Sequence, residues 1–186
     1  MIMPVFLFFS LFSAPNDNPR LDMLIEKSDA EALDRYLRAH REEGGQYFQT
    51  QIDMLLKAKL QDDQKRVKKI TGNLSFLADR FRKELTEQYP SAFLKHYCSW
   101  NKEQIKRKFR ADALSVRAQA LWRAGRRDQA HKDLEEMRTV CRTLGYTKGL
   151  ADALYLQGRY YWSEGRGNEA EALLSASLTT AENESY

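Results

Sequence analysis

Few side chains of this chain stand at a spacing that could support catalysis or metal binding. The candidates are His40, His96, His131, Cys98 and Cys141. His96 and Cys98 are two residues apart, so on a helix they point in different directions and do not form a nucleophilic pair. No second group of ligands lies at a usable spacing for a metal ion, and no glycine-rich phosphate loop or nucleophile elbow occurs. We therefore expect no enzyme active site, no metal site and no cofactor.

A basic run in the middle of the sequence could contact an anion. The chain has a net charge of +4, and its Lys and Arg residues are concentrated between residues 65 and 110. Phe81, Phe93, Trp100 and Phe109 are interleaved with them and could stack on bases. The alternative is that the charges lie on solvated outer helix surfaces while the aromatic rings lie in the core. We favour this alternative, and keep a nucleic-acid or anionic-surface binder through residues 65–110 as a further hypothesis.

The C-terminal part of the sequence repeats itself at an offset of 40 residues. We call residues 111–150 the first segment and residues 151–186 the second segment. The identical pairs are Ala111/Ala151, Asp112/Asp152, Ala113/Ala153, Leu114/Leu154, Trp122/Trp162, Gly125/Gly165, Arg126/Arg166, Ala130/Ala170 and Leu134/Leu174. Self-similarity at a period of 20–50 residues is the sequence signature of helical solenoids.

Within each segment the pattern predicts two helices joined by a short turn. A small residue (Ala118 or Gly158) lets a partner helix approach, and Gly125 or Gly165 then ends the first helix, since glycine adopts a left-handed conformation at little cost. In the second helix an alanine is followed four residues later by a leucine, so the two share one face of that helix. The predicted helices cover 103–124, 127–144, 148–164 and 167–182.

The order of a small residue, a large apolar residue (Leu121 or Tyr161), a glycine, an alanine and a leucine resembles the tetratricopeptide repeat in its long variety, with a period of about 40 residues. The resemblance implies an all-α fold: an α-solenoid, or right-handed superhelix, of antiparallel helix hairpins. It also implies a protein–protein interaction scaffold that binds a peptide or partner helix in a concave groove. The first helix of each hairpin would line that groove.

The resemblance places ten residues of this chain at groove positions. They are Asp112, Ser115, Gln119, Trp122, Arg123, Asp152, Tyr155, Arg159, Trp162 and Ser163. Trp, Tyr and Arg dominate binding hot spots, so the predicted partner-binding set is Gln119, Trp122, Arg123, Tyr155, Arg159 and Trp162. Such a trough suits an extended peptide or a helix that carries an acidic group. The alternative is that both tryptophans pack between neighbouring repeats.

Two further interpretations concern the whole protein. The chain could be the interaction region of a larger protein, or a regulatory sensor domain of a signalling or peptidase protein. Because solenoids need a cover on their last repeat, the C-terminal repeat could also support self-association.

The rest of the sequence predicts a leader and a degenerate helical region. Residues 1–19 form an apolar leader and linker, and residues 20–110 form degenerate helical hairpins. Within residues 20–110 we expect a first helix over 21–27 and a second that begins at a Ser28–Asp29 cap and stops at Gly44–Gly45. We expect two longer helices over 47–60 and over 61–88, the latter with a kink at Gly72. A further helix begins at Pro90.

Residues 1–14 are apolar but too short to span a bilayer, which needs about 20 residues. Their length suits the apolar part of a secretory signal peptide, although no basic residue precedes the run and Pro15 makes a poor cleavage site. The alternative is a buried N-terminal helix. We expect an exported protein, periplasmic or extracellular, with a cytoplasmic location as the alternative. Cys98 and Cys141 are then free thiols or, after export, one disulfide.

Overall fold

The computed structural model describes residues 18–85 and 89–182, and within these ranges all regular structure is α-helical. The helices are α1 (Pro19–Glu26), α2 (Ala30–Ala39), α3 (Arg41–Leu60), α4 (Gln64–Leu85), α5 (Tyr89–Ser99), α6 (Lys102–Arg123), α7 (Arg127–Leu144), α8 (Thr147–Ser163) and α9 (Gly167–Glu182). The predicted all-α class is confirmed. The predicted leader, residues 1–14, lies outside the described residues. None of the helices in the described ranges is long and apolar enough to cross a bilayer.

Side-chain caps set the starts of the first two helices. The Asn18 side chain accepts a hydrogen bond from the Leu21 amide at 3.1 Å, with Pro19 in the first turn of α1. The Asp29 side chain accepts one from the Ala32 amide at 3.1 Å. Each carboxamide or carboxylate satisfies an amide that has no partner within its helix. The cap predicted at Ser28–Asp29 is therefore confirmed.

The stop predicted at Gly44–Gly45 is wrong. Helix α2 already ends at Ala39, and both glycines lie inside α3. A Cβ on Gly44 would lie 2.6 Å from Leu37 Cδ2 and 3.1 Å from Phe81 Cζ. Glycine is used here because two neighbouring helices approach the α3 backbone closely, rather than to end a helix. Gly72 lies inside α4, which continues without interruption to Leu85.

The chain folds as two compact units, one ending at Lys102 and one beginning at Glu103. In the first unit α3 packs along α4, and α4 also contacts α1, α2 and α5. The core of this unit is aliphatic and aromatic. Its fully buried side chains include Leu33, Leu37, Tyr47, Ile52, Leu55, Leu56, Leu74, Leu77 and Phe81.

The second unit contains two antiparallel helix pairs, α6–α7 and α8–α9. In the first pair Arg110 bonds Glu136 and Arg117 bonds Asp133, so positions that rise along α6 meet positions that fall along α7. In the second pair a Cβ on Gly158 would lie 2.8 Å from Leu174 Cγ. The same pair is closed at its other end where the Ser177 hydroxyl donates to the Ala151 carbonyl at 2.8 Å.

Glycines in left-handed conformations end three of these helices. The φ angles are +74° at Gly125, +64° at Gly145 and +79° at Gly165. This region of φ is costly for residues with a Cβ, which explains the glycine at each bend. The helix ends predicted at Gly125 and Gly165 are confirmed.

Candidate functional site

The two tryptophans at equivalent sequence positions have different surroundings. The Trp122 ring from α6 stacks on the Tyr160 ring from α8, with centroids 3.8 Å apart and planes 6° apart. His131 from α7 meets the same two rings edge-on, at centroid distances of 5.7 Å and 6.2 Å. Trp122 therefore packs between the two helix pairs, as the alternative interpretation of the tryptophans states.

The contact between α7 and α8 continues beside this stack. His131 Nε2 lies 3.1 Å from Glu164 Oε1, and both side chains are mostly buried. Further along, Gln157 donates to Glu135 at 2.7 Å and accepts from Arg138 at 3.0 Å. Gln157 has no solvent exposure, so this polar network is part of how the helix pairs are held together.

Trp162 is the most exposed large apolar side chain of the described residues, with 66% of its surface accessible. It shares one face of α8 with Tyr155 and Arg159, because steps of four and three residues return to the same side of a helix. The Arg159 guanidinium lies 5.6 Å from the Tyr155 ring centroid. Tyr155 is half-buried and Arg159 is exposed. We call Tyr155, Arg159 and Trp162 the α8 face.

Arg123 and Gln119, the other two predicted binding residues of α6, differ in exposure. Arg123 is exposed, whereas Gln119 is buried and its Nε2 donates to the Ser115 carbonyl at 3.4 Å. Burial raises the pKa of Tyr160, and the positive charges of Arg159 and Arg123 oppose that rise. Arg123 of α6 and Arg159 of α8 therefore act electrostatically on the same hydroxyl, although they belong to different helices.

The aspartates at the predicted groove positions are engaged by lysines one turn earlier. Lys108 Nζ lies 2.8 Å from Asp112, and Lys148 Nζ lies 3.0 Å from Asp152. The Tyr146 hydroxyl also donates to Asp112 at 3.2 Å. The two lysines are also separated by the offset of 40 residues, so the repeat includes both lysine–aspartate pairs. The segments as aligned begin three residues after Lys108 and therefore leave the lysines out.

Tyr160 lies outside the predicted set of binding residues, whereas His131, a candidate for catalysis or metal binding by residue type, packs edge-on against the Trp122 and Tyr160 rings. Tyr160 stands at the position equivalent to Ala120 of the first segment, and this difference between the two segments is the signal that could have identified it.

The α8 face combines three chemical groups that can contact a partner segment. An exposed indole offers apolar area, an adjacent phenol offers an edge and a hydroxyl, and a guanidinium can take a carboxylate in a bidentate bond.

Several basic residues of the run 65–110 form ion pairs. Lys69 bonds Glu26 at 3.0 Å, Lys102 bonds Asp62 at 2.5 Å, and Arg80 bonds Asp79. Phe81, Phe93 and Trp100 are buried, whereas Phe109 is half-buried. Three of the four interleaved aromatic rings are thus core residues, as the alternative interpretation of this run states, and are not placed to stack on bases.

Cys98 is exposed and Cys141 is buried, and both are free thiols. Burial raises the pKa of the Cys141 thiol to about 12, with smaller contributions from the negative charges of Asp112 and Asp152. A thiol with so high a pKa is a packing group rather than a nucleophile. Residues 18–85 and 89–182 contain no group of three or more His, Cys, Asp or Glu side chains that could hold a metal ion.

Comparison with known proteins gives no relative that would assign the site. No protein-family model, no curated protein and no solved structure matches this chain.

Proposed function

We propose that this protein is an interaction module whose second unit is a pair of tetratricopeptide-like hairpins of an α-solenoid. In this proposal the α8 face binds an extended peptide or a partner helix that carries an apolar side chain and a carboxylate. The exposure of Trp162 beside Arg159 is the observation that carries the proposal.

The antiparallel helix pairs support the solenoid part of the proposal. In the second pair Gly158 lets the two helices approach, since a Cβ there would lie 3.3 Å from the Ala170 carbonyl oxygen. The equivalent small residues of the first pair, Ala118 and Ala130, are buried as Gly158 and Ala170 are. Each pair also turns at a left-handed glycine three residues after its tryptophan. These are the features on which the family resemblance depends.

The residue types of the α8 face support the binding part of the proposal. An exposed indole loses little conformational entropy when a partner orders it, because it has only two side-chain torsions. Covering its apolar surface then lowers the free energy of the complex. An arginine next to it adds direction, since its fork of donors matches a carboxylate. Arg123 is exposed and, like Arg159, acts to lower the pKa of the Tyr160 hydroxyl, so it would extend the positive charge that such a partner meets.

The proposal is tested by selecting peptides from a random displayed library against the whole chain. Selected peptides should contain an acidic residue near an aromatic or aliphatic one. Titration with a synthetic selected peptide should shift the tryptophan fluorescence to shorter wavelength, because the exposed indole of Trp162 becomes covered. Trp162→Ala and Arg159→Glu should each weaken binding by about tenfold or more, a loss of about 1.4 kcal/mol.

Met23→Ala is the matched control, since Met23 is also an exposed apolar side chain but belongs to the first unit. It should bind the peptide as the parent chain does. Circular dichroism should show all three variants folded. Selection of no peptide above background, or unchanged affinity in both Trp162→Ala and Arg159→Glu, would show that the α8 face is not the binding surface.

A further inference from the structure

The interface between the two helix pairs has one side formed by α8. Gln157 and Tyr160 belong to this side through their contacts, Ala153 and Leu156 lie on the same stripe of α8, and all four are buried. Gln157 bonds Glu135 and Arg138 of α7, and Tyr160 stacks on Trp122 of α6. Their spacing of three, one and three residues places them along one stripe of the helix.

The same stripe occurs 40 residues earlier on α6, where it is exposed. Its members are Ala113, Val116, Arg117 and Ala120, which we call the α6 face. Val116 is 58% exposed, whereas its equivalent Leu156 is 2% exposed. Apolar and small residues that lie in an interface on one helix are thus open to solvent on the other.

The opposite side of the interface is formed by α7, and it too has an exposed equivalent. His131, Glu135 and Arg138 of α7 contact α8. Their equivalents on α9 are Glu171, Ser175 and Leu178, which we call the α9 face, and all three are exposed. Leu178 is 42% exposed and stands where the first segment has Arg138. The α9 face is therefore more apolar at this position than the α7 surface that is already covered.

The two exposed faces lie on helices of opposite charge. Every charged residue of α9 is acidic: Glu169, Glu171 and Glu182. Basic residues outnumber acidic ones in α6, whose only acidic residues are Glu103 and Asp112. Complementary charge favours contact between an α9 helix and an α6 helix and disfavours contact between two α9 helices.

We infer that this chain associates head to tail, with the α9 face of one molecule packing on the α6 face of another as α7 packs on α8 within the chain. A second molecule is the occupant because the chain carries both sides of the interface in exposed form, with matching charge. This contact joins two different surfaces, so it leads to open chains or closed rings rather than to a symmetric dimer. The inference goes beyond peptide binding and rests on residues outside the α8 face.

Sedimentation velocity on the whole chain tests the inference. The parent protein should form species larger than a dimer as its concentration rises, and high salt should weaken the association because it screens the opposite charges. Val116→Glu blocks the α6 face, and its negative charge repels the acidic α9 helix of the other molecule. Leu178→Lys blocks the α9 face, and its positive charge repels the basic α6 helix of the other molecule. Each variant alone should be a monomer.

A mixture of the two variants distinguishes head-to-tail association from other arrangements. Val116→Glu keeps an intact α9 face and Leu178→Lys keeps an intact α6 face, so the mixture should associate, at least to a one-to-one dimer, at concentrations where each variant alone is a monomer. Met23→Glu, at an exposed apolar site in the first unit, should associate like the parent chain. Circular dichroism establishes that each variant is folded, and Val116→Ala and Leu178→Ala replace any variant that is not.

Three results would overturn the inference. They are a parent chain that is monomeric at every concentration, association of either variant alone, and a mixture that remains monomeric. Association lost with Leu178→Lys but kept with Val116→Glu would mean a symmetric contact between two α9 faces. Peptide binding by Val116→Glu is measured in parallel, so that failure of the inference and failure of the proposed function can be told apart.

Discussion

The helix pairs α6–α7 and α8–α9 have matching residues at matching positions, yet they present those residues to different surroundings. Trp122 stacks on Tyr160, whereas Trp162 is 66% exposed. Leu134 has no solvent exposure, whereas its equivalent Leu174 is half-buried. The residue type is the same in each pair, and the difference comes from the helix that lies next to it.

This comparison separates two roles that one sequence position can have. The first helix pair has α8 against its outer side, so its tryptophan becomes an interior contact. The outer side of the second pair faces solvent in the described structure, so its tryptophan leaves its apolar area exposed, where the proposed partner would bind. Stability and binding should therefore divide between equivalent residues, with stability depending on the first pair and binding on the second.

The largest expected effect is on the two equivalent leucines. Leu134→Ala should lower the free energy of unfolding by about 3 kcal/mol, because it leaves a cavity at a fully buried site. Leu174→Ala should cost only about 1 kcal/mol, since part of that side chain is already in water. Urea unfolding followed by circular dichroism measures both values. Equal costs would mean that the two helix pairs are equally covered in solution.

The two tryptophans should show the next largest difference. Trp122→Ala should cost about 2 kcal/mol of unfolding free energy, because it removes the stack on Tyr160 and the edge contact with His131. Trp162→Ala should cost less than about 0.5 kcal/mol, as is usual for an exposed side chain. The same unfolding experiment measures both. A large loss with Trp162→Ala would place that ring in the core and remove it from the binding site.

The smallest expected effect concerns the pH dependence of the first pair. Burial raises the pKa of Cys141 to about 12, whereas an unfolded thiol ionises near pH 8.5. The unfolded state therefore loses its proton first, so this contribution to stability is complete below about pH 8 and declines as the pH rises. The loss should be about 0.8 kcal/mol by pH 9.

Cys141→Ala is the control for this effect, because it places in the first segment the residue that the second segment has at Ala181. The variant should lack this part of the pH dependence. A thiol reagent should modify the exposed Cys98 rapidly in the folded parent chain and Cys141 only after unfolding. Rapid modification of both thiols in the folded chain would contradict the burial of Cys141.

The repeat made the helices of the second unit predictable from sequence. The predicted range 127–144 is the range of α7, and the predicted starts and ends of α6, α8 and α9 lie within one residue of those observed. Two copies of a pattern reinforce each other, and Gly125 and Gly165 mark the turns because few other residues adopt a positive φ. The first unit has no such clear second copy, and there the stop predicted at Gly44–Gly45 is wrong.

The candidate site was predictable only in part. The sequence indicated that Trp, Tyr and Arg residues share one side of α6 and α8, but it could not distinguish Trp122 from Trp162. That distinction depends on Tyr160, which contacts Trp122 across a gap of 38 positions in the chain. Neither the burial of Gln119 nor the pairing of Arg117 with Asp133 follows from helical periodicity.

The sequence by itself determined the helical class, the turns at Gly125 and Gly165, and the amphipathic pattern of each helix, because these depend on backbone propensity and on spacing within a few residues. Only the tertiary structure decided which equivalent residues are covered. Burial depends on what lies on the far side of a side chain, and for Trp122 that is a ring from another helix pair while for Trp162 it is solvent.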